Sequence, residues 1–163
     1  MSGFAATDKR LHTIETRLPA FPLDAMRLIR LTYHLQKALR DKTSIALKPF
    51  DLAEPAYMVL AVLYGSPNET SSASDLSEAC YEKPANLTRV CDDLKARGLI
   101  HRGEKEGDRR LVMISLTDAG RHLIEQALPQ VGKQVASAFD GLNKTQTRQF
   151  AAMCEQVLAA LSA

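Results

Sequence analysis

Asn86 and Arg89 stand one helical turn apart in the stretch Pro84-Ala-Asn-Leu-Thr-Arg-Val-Cys-Asp-Asp-Leu94. In the major groove of a duplex, an asparagine amide matches the edge of adenine and a guanidinium that of guanine. Lys83 and Thr88 add groups that hold phosphate oxygens, while Pro84 and Ala85 leave room for the backbone to come close. Further on, Arg109 and Arg110 follow Asp108 in a charged turn. A guanidinium at a turn tip can enter a narrow minor groove, where negative potential is enhanced. Between Lys83 and Arg110 eight Lys/Arg meet five Asp/Glu, a local +3, although the whole chain carries only +2. A basic surplus confined to one stretch suits phosphate contact. Charge alone leaves a solvated polar face as the alternative.

Other chemistries find less support. Cys80, Cys91 and Cys154 are odd in number and lack C-x-x-C spacing, so free thiols are expected. His12, His34, His101 and His122 form no metal-binding spacing with one another or with the cysteines. No nucleophile–base pair and no phosphate-binding glycine loop stands out, which makes an enzyme the least expected class. Neither a metal nor a cofactor is expected.

The elements that must hold these residues can be read from periodicity and punctuation. Pro84 suits the first position of a helix, where its missing N–H is no loss. Leu87, Val90, Cys91 and Leu94 then form one apolar face, and Gly98 tolerates the positive φ of a helix stop. Two apolar-rich runs follow, Leu99–Arg102 and Leu111–Leu116, joined by the charged turn Lys105–Arg109. Upstream, Ser72 with Asp75 resembles a capping box opening a short helix with Ala73, Leu76 and Ala79/Cys80 inward. Two helices followed by strand, charged turn and strand make a winged helix-turn-helix.

The flanks read as helical. In residues 1–22, Leu11, Ile14 and Leu18 have helical spacing, but Pro19 and Pro22 cut any helix short, leaving a weak arm. From Leu23 to about Leu47 no Gly or Pro interrupts a broad apolar face, and Arg27, Arg30, His34 and Asp41 form a polar stripe. A second helix starts near Glu54-Pro55 and stops at Gly65-Ser66-Pro67; residues 68–71 have room for a small third strand. Thr117 is a good N-cap for a helix in which Pro129 and Gly132 predict a kink near Ala127. Asn143 and Gln146 open a last helix whose seam is Phe150, Met153/Cys154, Val157 and Leu161.

The expected fold is mostly α with a small β-hairpin wing: a winged helix-turn-helix at 53–117, and long dimerisation helices in 23–52 and 118–163. One compact domain accommodates the 163 residues, 45% apolar and 25% charged. No apolar run approaches the ~20 residues of a membrane span, and no signal-peptide core is present, so the cytoplasm is the default location.

Ala73-Ser-Asp-Leu-Ser-Glu-Ala79, Asn86–Leu94, Arg97-Gly-Leu-Ile100, Asp108-Arg-Arg110 and Leu116-Thr-Asp-Ala-Gly120, in that order, resemble the MarR family of bacterial transcriptional regulators. Arg30-Leu-Thr-Tyr-His-Leu-Gln-Lys-Ala-Leu39 is similar to the branch of efflux-pump repressors that includes EmrR. The resemblance implies a homodimer, more often a repressor, reading a palindromic operator in double-stranded DNA. It places Ser72, Lys83, Pro84, Ala85, Asn86, Thr88, Arg89, Asp108, Arg109 and Arg110 on the DNA side, with Asp108 as buttress of a wing arginine. It also implies a small aromatic or phenolic carboxylate effector near the first two long helices, for which Arg30, His34 and Tyr57 are the candidate contacts. Two rival readings remain. One is the same scaffold sensing oxidation through Cys80, taken as the most exposed thiol, or Cys91; peroxide-sensing members carry a cysteine near the N-terminus, which this chain lacks. The other is a winged-helix module that binds protein.

Overall fold

In a computed structural model, residues 3–105 and 108–162 are described, apart from the side chains of 104–111. Among the described residues seven α-helices and three strands follow in chain order: α1 (Ala5–Arg17), α2 (Leu23–Leu47), α3 (Glu54–Gly65), β1 (Thr70–Ser72), α4 (Ala73–Ala79), α5 (Pro84–Ala96), β2 (Ile100–Lys105), β3 (Asp108–Leu116), α6 (Asp118–Ala136) and α7 (Lys144–Leu161). Short 3-10 turns follow α2, α3 and α6. The chain divides into two compact units, Met1–Lys42 and Thr43–Ala163.

In the first unit, residues 1–22 contain more than a weak arm. A 13-residue helix runs from Ala5 to Arg17 and buries Leu11. It stops ahead of Pro19, because the proline ring disfavours helical backbone in the residue before it. Arg27 of α2 donates from Nε to Asp8 at 2.7 Å and lies 5.8 Å from the centroid of the Phe4 ring.

The second unit holds the core. Leu47, Leu60, Leu63, Leu76, Leu94, Ile100, Ile114 and Ile124 are fully buried, drawn from five helices and both long strands. Burying a leucine side chain completely contributes about 1.5–3 kcal/mol. On that scale α5, which buries Leu87, Val90, Cys91 and Leu94, is held by one face and leaves the other unused. Truncating Leu94 to alanine would cost about 2–5 kcal/mol, transfer and cavity together.

The three strands form one antiparallel sheet in the order β1-β3-β2. β2 and β3 are the hairpin, with Ile100 opposite Leu116 and Arg102 opposite Ile114. The small third strand is present, starting two residues later than expected: Thr70 pairs with Ser115 and Ser72 with Met113. α6 runs through Pro129 as one element to Ala136.

Its first turn fixes the wing root. Thr117 accepts the Gly120 N–H, while its hydroxyl donates to the Gly98 carbonyl at 2.7 Å. The Thr117 N–H reaches the Leu99 carbonyl at 3.1 Å. Arg121 then forks onto Glu69, with Nε 2.9 Å from both carboxylate oxygens and Nη2 2.7 Å from Oε2. The hydrogen bonds and charge of Arg121 hold the Glu69 carboxyl below its usual range. α7 starts with the reciprocal Asn143–Gln146 capping box and buries none of its residues.

Candidate nucleic-acid interface

The reading unit is built from α4, a tight turn and α5. Ser72 caps α4 by accepting the Asp75 N–H at 3.1 Å and lies 2.9 Å from the Ser74 hydroxyl. It is buried. Its hydroxyl is the cap that holds the start of α4. In the turn, Tyr81 adopts φ +53° and is 94% exposed. Ser77 donates to the Glu82 carbonyl at 2.6 Å, and the Glu82 N–H returns to the Ser77 carbonyl at 3.0 Å.

Lys83 is the N-cap of α5 and Pro84 its first helical residue. Lys83, Pro84, Ala85, Thr88 and Arg89 are exposed and Asn86 is half-buried, whereas Leu87 and Val90 face the core. The candidate contacts of the helix thus share one outward face. Thr88 already donates its hydroxyl proton to the Pro84 carbonyl at 2.9 Å, leaving its oxygen as an acceptor. Asn86 and Arg89 are joined: Arg89 Nη2 donates to Asn86 Oδ1 at 3.1 Å. Asn86 Nδ2 in turn donates to Glu82 Oε2.

Glu82 lies outside the apolar pattern that marks α5 in the sequence. Its spacing of four residues before Asn86 was the signal available. A second unforeseen tie is Arg102 of β2, whose Nη1 donates to Asp92 of α5 at 3.0 Å. It fastens the wing strand to the recognition helix across ten positions of sequence. The backbone of Asp108–Arg110 opens β3, but the side chains of Asp108, Arg109 and Arg110 lie outside the described residues.

The candidate effector contacts fall in different units. Arg30 is exposed on α2. His34 does not face outward as a free member of the polar stripe. Its Nε2 lies 3.2 Å from the Thr7 hydroxyl, and the Phe4 ring meets it edge-on at 5.3 Å. Helix α1 covers it, a contact hidden in the sequence because the arm read as weak. Tyr57, in the second unit, is buried in the core, and burial pushes its phenol up from the usual value.

Among the thiols, the expected exposure of Cys80 needs correction. Cys80 closes α4 and packs into the core instead of being the most exposed; burial, first of all, pushes its pKa up to about 11. Cys91 is buried on the inner face of α5 and likewise raised by burial. A thiolate is the reactive form, and burial disfavours it at both positions. The exposed cysteine is Cys154. Among the described residues no His/Cys/Asp/Glu group could hold a metal ion, and no helix is long and apolar enough to cross a membrane.

Comparison with known proteins points the same way as this face. A model of the MarR family matches residues 50–111, from just ahead of α3 into β3. The chain is 35% identical over 117 residues to the uncharacterized HTH-type transcriptional regulator YhbI of Bacillus subtilis (strain 168), covering 72% of this chain and 73% of YhbI. It is 29% identical over 160 residues to the transcriptional repressor MprA of Escherichia coli (strain K12), covering 98% and 91%. Among solved structures, BpsR of Bordetella bronchiseptica, whose DNA binding is regulated by 6-hydroxynicotinic acid, matches with a TM-score of 0.71 at 24% identity, covering 78% of this chain and 90% of BpsR.

Proposed function

Since the chain belongs to the MarR family of transcriptional regulators, we propose that it is a homodimeric, sequence-specific repressor whose hold on a palindromic operator is relieved by a small aromatic acid. The similarity to MprA along nearly the whole chain supports the EmrR-like branch and the sign of regulation. One observation carries the reading of DNA: α5 buries its inner face completely and turns Asn86 and Arg89, hydrogen-bonded to each other, outward beside Lys83. The first turns of a recognition helix are the part that meets base edges. One of the wing arginines, Arg109 or Arg110, is the minor-groove partner in this reading, with Asp108 as its buttress.

Dimerisation is assigned to α2 and to α6–α7. Phe150, Met153, Val157, Leu158 and Leu161 leave an apolar row uncovered on α7, and Leu28, Ile29 and Tyr33 another on α2. Apolar rows of that size mark association surfaces, and a two-fold dimer matches a two-fold operator. The effector is supported by BpsR and by Arg30, an exposed cation suited to a charge-assisted bond with a carboxylate. Release is linkage: an acid that prefers a dimer whose α5 helices miss the half-site spacing weakens DNA binding by that difference in affinity.

The experiment is a titration of the full chain against duplex from its own upstream region, scanned by gel shift and followed by fluorescence anisotropy. Arg89→Ala should cost on the order of 1–3 kcal/mol and relax sequence preference. Replacing Arg109 and Arg110 together should weaken binding to all sequences evenly and flatten the salt dependence. Wild-type operator affinity in a normally folded Arg89→Ala protein would remove α5 from the interface.

A further inference from the structure

Resting on the assignment of α5 to the major groove, we infer that Glu82 is a positioning residue that fixes which base edge Asn86 can read. Glu82 stands outside the helix, one place before its N-cap Lys83. Its backbone is clamped on both sides of the peptide by Ser77, through the Glu82 N–H and the Glu82 carbonyl. The left-handed Tyr81 just ahead of it aims the chain into α5. From that fixed point the carboxylate reaches one turn along and accepts from Asn86 Nδ2, while Arg89 Nη2 donates to Asn86 Oδ1.

The chemistry of the two neighbours decides the orientation of the amide. A carboxylate can only accept and a guanidinium can only donate, so the nitrogen must face Glu82 and the oxygen Arg89. An asparagine amide has two N–H donors and two acceptor lone pairs. One of each is used within the protein. What remains is one donor and one acceptor side by side, the set that pairs with N7 and N6 of adenine. Arg89 gives up one of its five donors to Asn86 and keeps the others for a base or phosphate. Without Glu82 the amide is held from one side only and can turn. The carboxylate also sets a negative charge beside Lys83 at the face where phosphates would lie, which lowers sequence-blind affinity. Glu82 therefore exchanges general affinity for discrimination.

The test uses the full-length protein and a pool of duplexes with a randomised central segment. Selection with wild type and with Asn86→Ala identifies the base pair that Asn86 discriminates. Two duplexes differing at that pair are then titrated by anisotropy at fixed salt with Glu82→Ala and Glu82→Gln. We expect Asn86→Ala and Glu82→Ala each to lose about tenfold of preference at that pair and at no other. Glu82→Gln, which keeps an acceptor oxygen, should stay within about twofold of wild type in preference. Both Glu82 variants should bind non-specific duplex more tightly than wild type, since a negative charge is gone. Preference retained in Glu82→Ala while Asn86→Ala loses it overturns the inference and leaves the reading of DNA by α5 intact. A pool from which wild type selects no sequence, or an Asn86→Ala protein with unaltered preference everywhere, overturns the use of Asn86 itself and the inference with it.

Discussion

Gly120 gives the structure a test of sign as well as size. A Cβ built on it would lie 2.0 Å from the carbonyl oxygen of Leu99 and 3.3 Å from Leu116 Cδ2. Ordinary contact begins near 3.4 Å, so Gly120→Ala must drive α6 and the root of β2 apart by more than an ångström. The obstacle is backbone, and that carbonyl also accepts the Thr117 N–H. Overpacking of this kind costs about 1–3 kcal/mol, and a lost hydrogen bond about another 1 kcal/mol. Alanine returns about 1 kcal/mol of helix propensity. The net is a loss of about 2 kcal/mol, or a Tm lower by roughly 4–8 °C for a chain of this length. Gly132 lies in the same helix with nothing within 4 Å of its would-be Cβ. There the propensity gain stands alone, and Gly132→Ala should raise Tm by about 1–4 °C. The assay is thermal unfolding by circular dichroism at one fixed protein concentration, because association shifts apparent stability. A Gly120→Ala protein as stable as wild type would refute the close approach of α6 to Leu99.

Three further outcomes are expected. Burial pushes the Cys80 thiol up to about 11 and raises Cys91 as well, so both stay protonated at neutral pH; Cys80 and Cys91 should ignore Ellman's reagent until the protein unfolds, and mild peroxide should leave DNA affinity unchanged. A peroxide response abolished by Cys80→Ser would overturn that expectation. The carboxyl of Glu69 is lowered in the folded state, so its ion pair stabilises fully above the ordinary glutamate value and is lost as pH falls through the lowered one; the Tm gap between wild type and Arg121→Ala should close on acidification, and a gap independent of pH would exclude the pair as its cause. Placing a charge at Val157 or Leu158, 60% and 63% exposed in the single chain, should turn a micromolar dimer into monomer by sedimentation velocity, whereas a variant that still sediments as a dimer would move the interface off α7.

Much of this fold is written in local signals. The bounds of α2, α3 and α5 follow from uninterrupted periodicity and from prolines and glycines at their ends, and the Thr117 and Asn143 caps form as their side chains suggest. The outward face of α5 is legible for the same reason, because four apolar positions point the other way. What could not be read depends on partners distant in sequence. Cys80 looked exposed because it ends a short helix, yet the core closes over it. His34 looked free because nothing local announces Thr7 of α1 and Phe4 just before it. The Arg121–Glu69 fork joins positions 52 apart, and Arg102–Asp92 bridges two elements of different period. Charge pairs carry no periodic signature. Glu82 was the exception, within reach of a local rule, but it sits outside the helix whose pattern drew attention.

The strand order has a consequence for how the reading head is made. β1 and β3 close a loop that contains α4, the turn, α5 and β2, because Thr70 at one end pairs with Ser115 at the other. The β2–β3 hairpin joins neighbours and can form on its own in microseconds, whereas β1 must find its place across the whole insert. β1 contributes only three residues to that closure. The last stroke of its zipper, Ser72 against Met113, is also the residue that caps α4. Registration of β1 and the start of α4 thus depend on the same residue. In hydrogen exchange, the amides of β1 and the first turn of α4 should open together, as one unit, ahead of the hairpin they lean on.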